Sequence, residues 1–112
     1  PAIIFHCFTE GVDSVRAIRE IAPDAFFGIG GVVTFKNASD LKQAIPEIGI
    51  QRIVLETDAP WLAPVPHRGK RNESSYIPVI AGSIAEILGI PPTQVESTTT
   101  DNANQICNLP VL

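Results

Sequence analysis

An imidazole and two carboxylates stand where apolar runs of the sequence give out. Ile53-Val54-Leu55 leads into Glu56-Thr57-Asp58 ahead of Pro60, and Ile3-Ile4-Phe5 leads into His6. Side chains alternate along an extended chain, so Val54, Glu56 and Asp58 are expected on one face, as are Ile4, His6 and Phe8. Pro60 cannot donate to a ladder and disfavours helical geometry at Ala59, which ends the strand with Asp58 at its carboxyl end. Ligands of α/β folds bind at that end. Taken alone, His6 reads as a hydrogen-bonded core histidine, because one imidazole makes no site. With Asp58 on a parallel strand, nitrogen and oxygen donors converge at one mouth, as a divalent-metal hydrolase requires. Two ligands still fall short of the about three protein ligands of catalytic zinc sites. Glu56 reads either as a second acid or general base beside them, or as an interior carboxylate that needs a partner.

Ten residues after Asp58, the run Arg68-Gly69-Lys70-Arg71 packs three of the chain's eight basic residues into four positions. A short basic run is ordinarily a solvated loop. Tethered to the strand end that carries Asp58, with Gly69 permitting close backbone approach, Arg68, Lys70 and Arg71 are expected to hold a phosphate. Pro64 and Arg71 stand where a phosphate-binding P-loop needs Gly and Ser or Thr, so nucleoside triphosphate chemistry is excluded. Val33 occupies the third glycine position of a dinucleotide fingerprint, and close packing inside a strand explains Gly28-Ile29-Gly30-Gly31 better. Trp61 either stacks on a base or closes the loop from below, with burial the expected role. Asp13, Asp40 and Asp101 are assigned to first turns of helices, where the helix dipole accounts for them. The second histidine, His67, lies in the basic loop.

The elements that would position these residues repeat three times. Ile3 to Phe8 is predicted as a buried strand containing Cys7. A helix from Thr9 to Ala22, with Val15, Ile18 and Ala22 on one stripe, follows and stops at Pro23. Ala25 to Val33 is a second strand, and Asn37 is predicted to cap a short helix carrying Leu41, Ala44 and Ile45 that ends at Pro46. Ile53 to Asp58 is the third strand. After the proline-rich loop, Ile77, Ile80, Ile84, Ile87 and Leu88 form one helical face, with Pro78 in the first turn and Gly89 as the stop. A last helix is predicted from Thr100 to Asn108, with Ala103, Ile106 and Cys107 inward. Strands apolar on both faces and separated by helices call for a parallel sheet. A parallel barrel takes eight such units in roughly 250 residues, however, and three leave strand edges open.

The 112 residues, 45% hydrophobic, fit one small globular domain. A formal charge of −4 argues against nucleic-acid binding by the whole surface, so any phosphate affinity is local. Cys7 and Cys107 lack CxxC spacing and read as free thiols of a reducing cytoplasm. No apolar run approaches the ~20 residues that span a bilayer. Pro1 runs almost directly into strand residues without a methionine, and the chain is expected to be part of something longer.

The motifs Phe5-His6-Cys7-Phe8, Leu55-Glu56-Thr57-Asp58-Ala59-Pro60 and Pro66-His67-Arg68-Gly69-Lys70-Arg71-Asn72 together resemble the TatD family of metal-dependent deoxyribonucleases. Gly30-Gly31-Val32-Val33-Thr34-Phe35-Lys36-Asn37 and Thr99-Thr100-Asp101-Asn102-Ala103 extend the resemblance over essentially the whole chain. It implies an α/β fold, a TIM-like (β/α) barrel of amidohydrolase type present as its last three βα units, with residues 1–112 forming its C-terminal fragment. It also implies hydrolysis of DNA phosphodiester bonds by metal-activated water, the ion being magnesium, manganese or zinc. His6 and Asp58 match family metal ligands, and DNA, as single strands or ends, is the implied partner. The family's HxH pair, a glutamate and a further histidine have no counterpart here. The alternative is a catalytically silent barrel fragment that self-associates, pairs with a missing N-terminal half, or only binds phosphate.

Overall fold

In the computed structural model, which describes residues 2–107, three short parallel strands lie in the order β1-β2-β3. They are β1 (Ile4–Phe5), β2 (Phe26–Ile29) and β3 (Ile53–Leu55), with Phe5 opposite Phe27 and Phe27 opposite Ile53. Four helices follow the chain: α1 (Val12–Ile21), α2 (Ser39–Ile48), α3 (Ile77–Leu88) and α4 (Pro92–Cys107). No single helix among the described residues is long and apolar enough to cross a membrane.

The core lies on one face of this sheet. Phe27, Ile29 and Ile53 pack with Val15 of α1, Leu41, Ala44 and Ile45 of α2, Ile80 and Ile84 of α3, and Val95 of α4, all essentially excluded from water. Alternation explains the choice, since Phe27 and Ile29 lie two apart in β2. Phe8 joins them edge-to-face against Phe27 at 5.0 Å. The opposite face carries Ile4, Phe26, Gly28, Val54 and Glu56. Ile4 there is 41% exposed, so β1 is not the buried strand its composition predicts.

Several boundaries differ from expectation, each for a local reason. The first strand stops at Phe5, because His6 and Cys7 form a turn in which Cys7 takes φ 52°. That left-handed residue breaks the alternation and sends Phe8 into the helix-side core instead of beside Ile4 and His6. Gly11, not Thr9, precedes α1. Gly31–Thr34 turns into a 3-10 helix, so the second strand ends at Ile29. In α2 the cap is Ala38 rather than Asn37, and Pro46 lies inside the helix. Having no N–H, Pro46 cannot donate to the Lys42 carbonyl, a loss the helix bears; it ends only at Ile48, where Gly49 leaves it at φ 81°.

Helix α4 begins at Pro92, a residue suited to a first turn, and runs eight residues earlier than predicted, which leaves Asp101 in its interior. Its inward residues are Val95, Thr99 and Asn102; Ala103 and Ile106 are half-buried and Cys107 is exposed. Asn108, the predicted end, lies outside the described residues. Helix α3 matches its predicted stripe, with Gly89 closing it at φ 68°. Both cysteines are free.

Candidate active site

The carboxyl ends of β1 and β3 meet over Gly28. The Glu56 N–H donates to the Ile29 carbonyl at 3.0 Å, which carries the ladder one residue past β3 and keeps Glu56 in register with β2. Its carboxylate lies across Gly28: a Cβ there would collide with Glu56 Oε2 and come within 3.1 Å of the His6 Cα. Gly30 is open to the Glu56 carbonyl at 3.5 Å, and Gly31 abuts the Leu62 carbonyl and Pro64. Close approach, rather than phosphate cradling, is what this glycine run provides.

Burial raises the Glu56 carboxyl above its ordinary range; the Cys7 backbone N–H and His6 pull it back down, and Asp58 pushes it up. The Cys7 thiol is raised by burial first, then by Asp58 and Glu56. His6, Cys7, Glu56 and Asp58 therefore share one electrostatic neighbourhood, with Glu56 half-buried and Asp58 and His6 exposed. The partner that residue spacing leaves unnamed for Glu56 is the Cys7 N–H with His6 nearby, and bare Gly28 makes room for the carboxylate.

Asp58 does not continue the strand. It takes φ 55°, a left-handed conformation that aspartate tolerates better than most residues. The alternation expected to align it with Glu56 ends there. Thr57 Oγ1 accepts from the Ala59 N–H at 3.1 Å, and the Trp61 N–H donates to the Asp58 carbonyl at 2.9 Å, closing a turn. Asn72 holds that turn from behind. It is 1% exposed; its Nδ2 donates to the Thr57 and Trp61 carbonyls, and its Oδ1 accepts from the Glu73 N–H. Its own N–H donates to the Pro60 carbonyl at 2.9 Å. Cys7, Asp58 and Leu62 are the non-glycine residues with positive φ among those described, and all three flank this region.

The basic loop forms the adjoining feature. Arg68, Lys70 and Arg71 line a cleft of about 510 Å3 with Phe35, Pro60, Trp61 and Leu62. The Arg68 guanidinium sits 4.0 Å from the centroid of the Phe35 ring. Trp61 is 69% exposed, contrary to the burial expected of it, while Asn72 and Ala63 close by in the chain are buried. His67 stacks flat on Tyr76 at 4.0 Å and is not brought to His6. None of His6, Glu56 and Asp58 lines the cleft; the Pro60-Trp61 turn joins the two features.

Among the described residues no group of three or more His, Cys, Asp or Glu side chains could hold a metal ion. The donors at hand, one imidazole and two carboxylates, are of the mixed N/O kind that suits zinc, manganese or magnesium, and would by themselves fill only part of a coordination sphere. Asn72, Phe35 and Tyr76 are the functional-region residues that sequence spacing did not single out. Asn72 carried one signal, its place directly after the cationic run.

Known proteins resemble this chain in sequence and in fold. A family model described as TatD related DNase matches residues 1–108. YabD of Bacillus subtilis, named an uncharacterized metal-dependent hydrolase, is 41% identical over 103 residues, 92% of this chain and 40% of that protein. YcfH of Escherichia coli K12, named likewise, is 35% identical over 99 residues, covering 88% of this chain and 37% of that protein. The crystal structure of YjjV, a TatD homolog from Escherichia coli, superposes with a TM-score of 0.84 at 20% identity, over 96% of this chain and 40% of that one. An uncharacterized amidohydrolase from Saccharomyces cerevisiae gives 0.77 at 17% identity, over 94% and 40%. The chain thus spans about two fifths of the length of the relatives it matches. Its three βα units match part of the fold of these larger proteins, as predicted for a fragment of a parallel (β/α) barrel.

Proposed function

Because this chain belongs to the TatD-related DNase family, we propose that it supplies part of the centre of a metal-dependent hydrolase that cleaves DNA phosphodiester bonds. The observation that carries the reading is the gathering of His6, Glu56 and Asp58 about Gly28, one turn away from a cationic cleft. A divalent ion held by His6 and Asp58, with further donors from outside the described residues, would activate water and polarise the phosphoryl oxygen. Glu56, kept partly protonatable by burial, takes up or returns a proton at its carboxylate. Arg68, Lys70 and Arg71 hold the phosphate and fix its register beside the turn. The compartment proposed for the activity is the cytoplasm.

The test is cleavage of single-stranded DNA with and without chelator, for the native sequence and for Asp58→Ala, in this chain and in a full-length relative carrying the matching change. Loss of about 100-fold or more of chelator-sensitive cleavage is expected. Near-native cleavage by the variant sinks the assignment.

A second reading has its own observation. The described residues lack a three-ligand cluster, and the β1 edge exposes Ile3 and Ile4. On that reading the chain by itself is silent, and associates through this edge with a second copy or with the rest of a barrel. Sedimentation alongside the cleavage assay separates the two: a monomer that cleaves DNA eliminates the silent fragment.

A further inference from the structure

Trp61 is the chain's one tryptophan, and it is 69% exposed beside three cations. Keeping an indole in water forgoes roughly 1.5–3 kcal/mol of burial, a cost that a packing role would have avoided. Its backbone, by contrast, is fixed at both polar groups. The N–H donates to the Asp58 carbonyl at 2.9 Å and the carbonyl accepts from buried Asn72 at 2.8 Å. The exposed ring is therefore carried on a fixed stretch of backbone, in the same turn that presents Asp58.

The surrounding charge selects what lies on that ring. Among the described residues the lining of the cleft includes Arg68, Lys70 and Arg71 and no acidic side chain, in a chain of net charge −4. Arg68 is itself stacked, over Phe35, and presents its remaining edge outward. An aromatic face beside cations, in an open cleft of about 510 Å3, matches a nucleotide of single-stranded DNA: base on the ring, phosphate on the cations. A paired base has both faces occupied by its own stack and does not reach the indole.

We infer that Trp61 is a base-stacking residue: its indole takes one face of an unpaired base, regardless of base identity, and seats that nucleotide next to the Asp58 turn. The inference rests on the DNA reading above, and adds to it the residue that holds the base.

Since Trp61 is the sole tryptophan, its fluorescence reports the contact directly. The full chain, in chelator so that no hydrolysis intervenes, is titrated with labelled oligothymidylate and with an abasic oligonucleotide of equal length and charge. Expected are quenching by oligothymidylate alone, and affinity for the abasic strand roughly 5- to 150-fold weaker. Trp61→Ala should abolish that preference, Trp61→Phe should keep part of it, and Lys70→Ala should weaken both strands equally. Equal binding of both strands without quenching, or an undiminished preference in Trp61→Ala, overturns the inference. Failure of the hydrolase reading looks different: quenching and preference persist while chelator-sensitive cleavage is absent.

Discussion

The two faces of the three-stranded sheet are built by different rules. On the helix side, Phe27, Ile29 and Ile53 are sealed under α1, α2, α3 and α4 in a largely apolar cluster, whose buried polar neighbours, Thr99 and Asn102, both belong to α4. On the other side, and over the carboxyl ends of the strands, Ile4 is exposed, Gly28 is left bare for Glu56, and an asparagine is buried where a hydrophobe would otherwise pack. The first face stabilises by area removed from water. The second holds polar atoms at fixed positions, and spends conformational strain at Cys7, Asp58 and Leu62 to do so. A fold can thus concentrate stability on one side of a sheet and leave the other side free for chemistry.

That contrast can be broken most severely at Phe27. Phe27→Ala removes a fully buried ring that touches Phe5 and Phe8, and should cost about 3–5 kcal/mol in urea unfolding. Ile4→Ser in the neighbouring strand should change stability by no more than about 0.5 kcal/mol, and equal losses at the two positions would refute the distinction. Asn72→Ala comes next. It strips the Thr57 and Trp61 carbonyls and the Glu73 N–H of their partner, so about 1–3 kcal/mol should be lost. Hydrogen exchange should quicken at Trp61 and Glu73 while the amides of β2 stay protected.

Gly28→Ala sharpens the comparison on the open face. The new methyl meets the Glu56 carboxylate, at an expected cost of about 1–3 kcal/mol. Adding Glu56→Ala should recover much of that loss, and strictly additive effects would mean that the two residues do not touch. The smallest effect is electrostatic. Burial raises the folded-state carboxyl of Glu56, so the folded chain binds the proton more tightly than the unfolded one. Stability from this group is therefore full below the unfolded value near pH 4.3 and is lost as pH rises through the folded one. In chelator, Glu56→Gln should melt higher than the native chain at pH 7, with the gap closing toward pH 4. A gap that widens in acid would reverse the sign of the shift.

How much of this was legible follows the same division. The apolar runs place Phe27, Ile29 and Ile53 in buried strands, and the 3.6-residue stripe of α3 locates Ile80 and Ile84, because burial is the property those patterns encode. Alternation failed at Phe8 and Asp58, where a single left-handed residue reverses the side to which the chain turns. Proline misleads at two places: Pro46 does not stop α2, which continues to Ile48 without the hydrogen bond the ring forfeits, and Pro92, suited to a first turn, opens α4 well before Thr100. Of the two readings open for Trp61, burial is the one expected, and the ring is exposed instead. Nothing periodic marks Asn72, whose partners at Thr57 and Trp61 depend on the path of the whole loop between them.

Strand β3 has only three residues, and two buried amides clamp its surroundings. Asn102 of α4 donates to the Ile50 and Ile53 carbonyls at its entry, and Asn72 fixes the chain just beyond its exit. A ladder this short has little cooperative resistance to sliding by one position, a slip that would carry Glu56 from the open face into the helix-side core. The two asparagines act as end stops on a ruler. They count the residues between them, so that inserting or deleting one anywhere from Ile53 to Thr57 would dislodge an amide at one end and turn the carboxylate into oil.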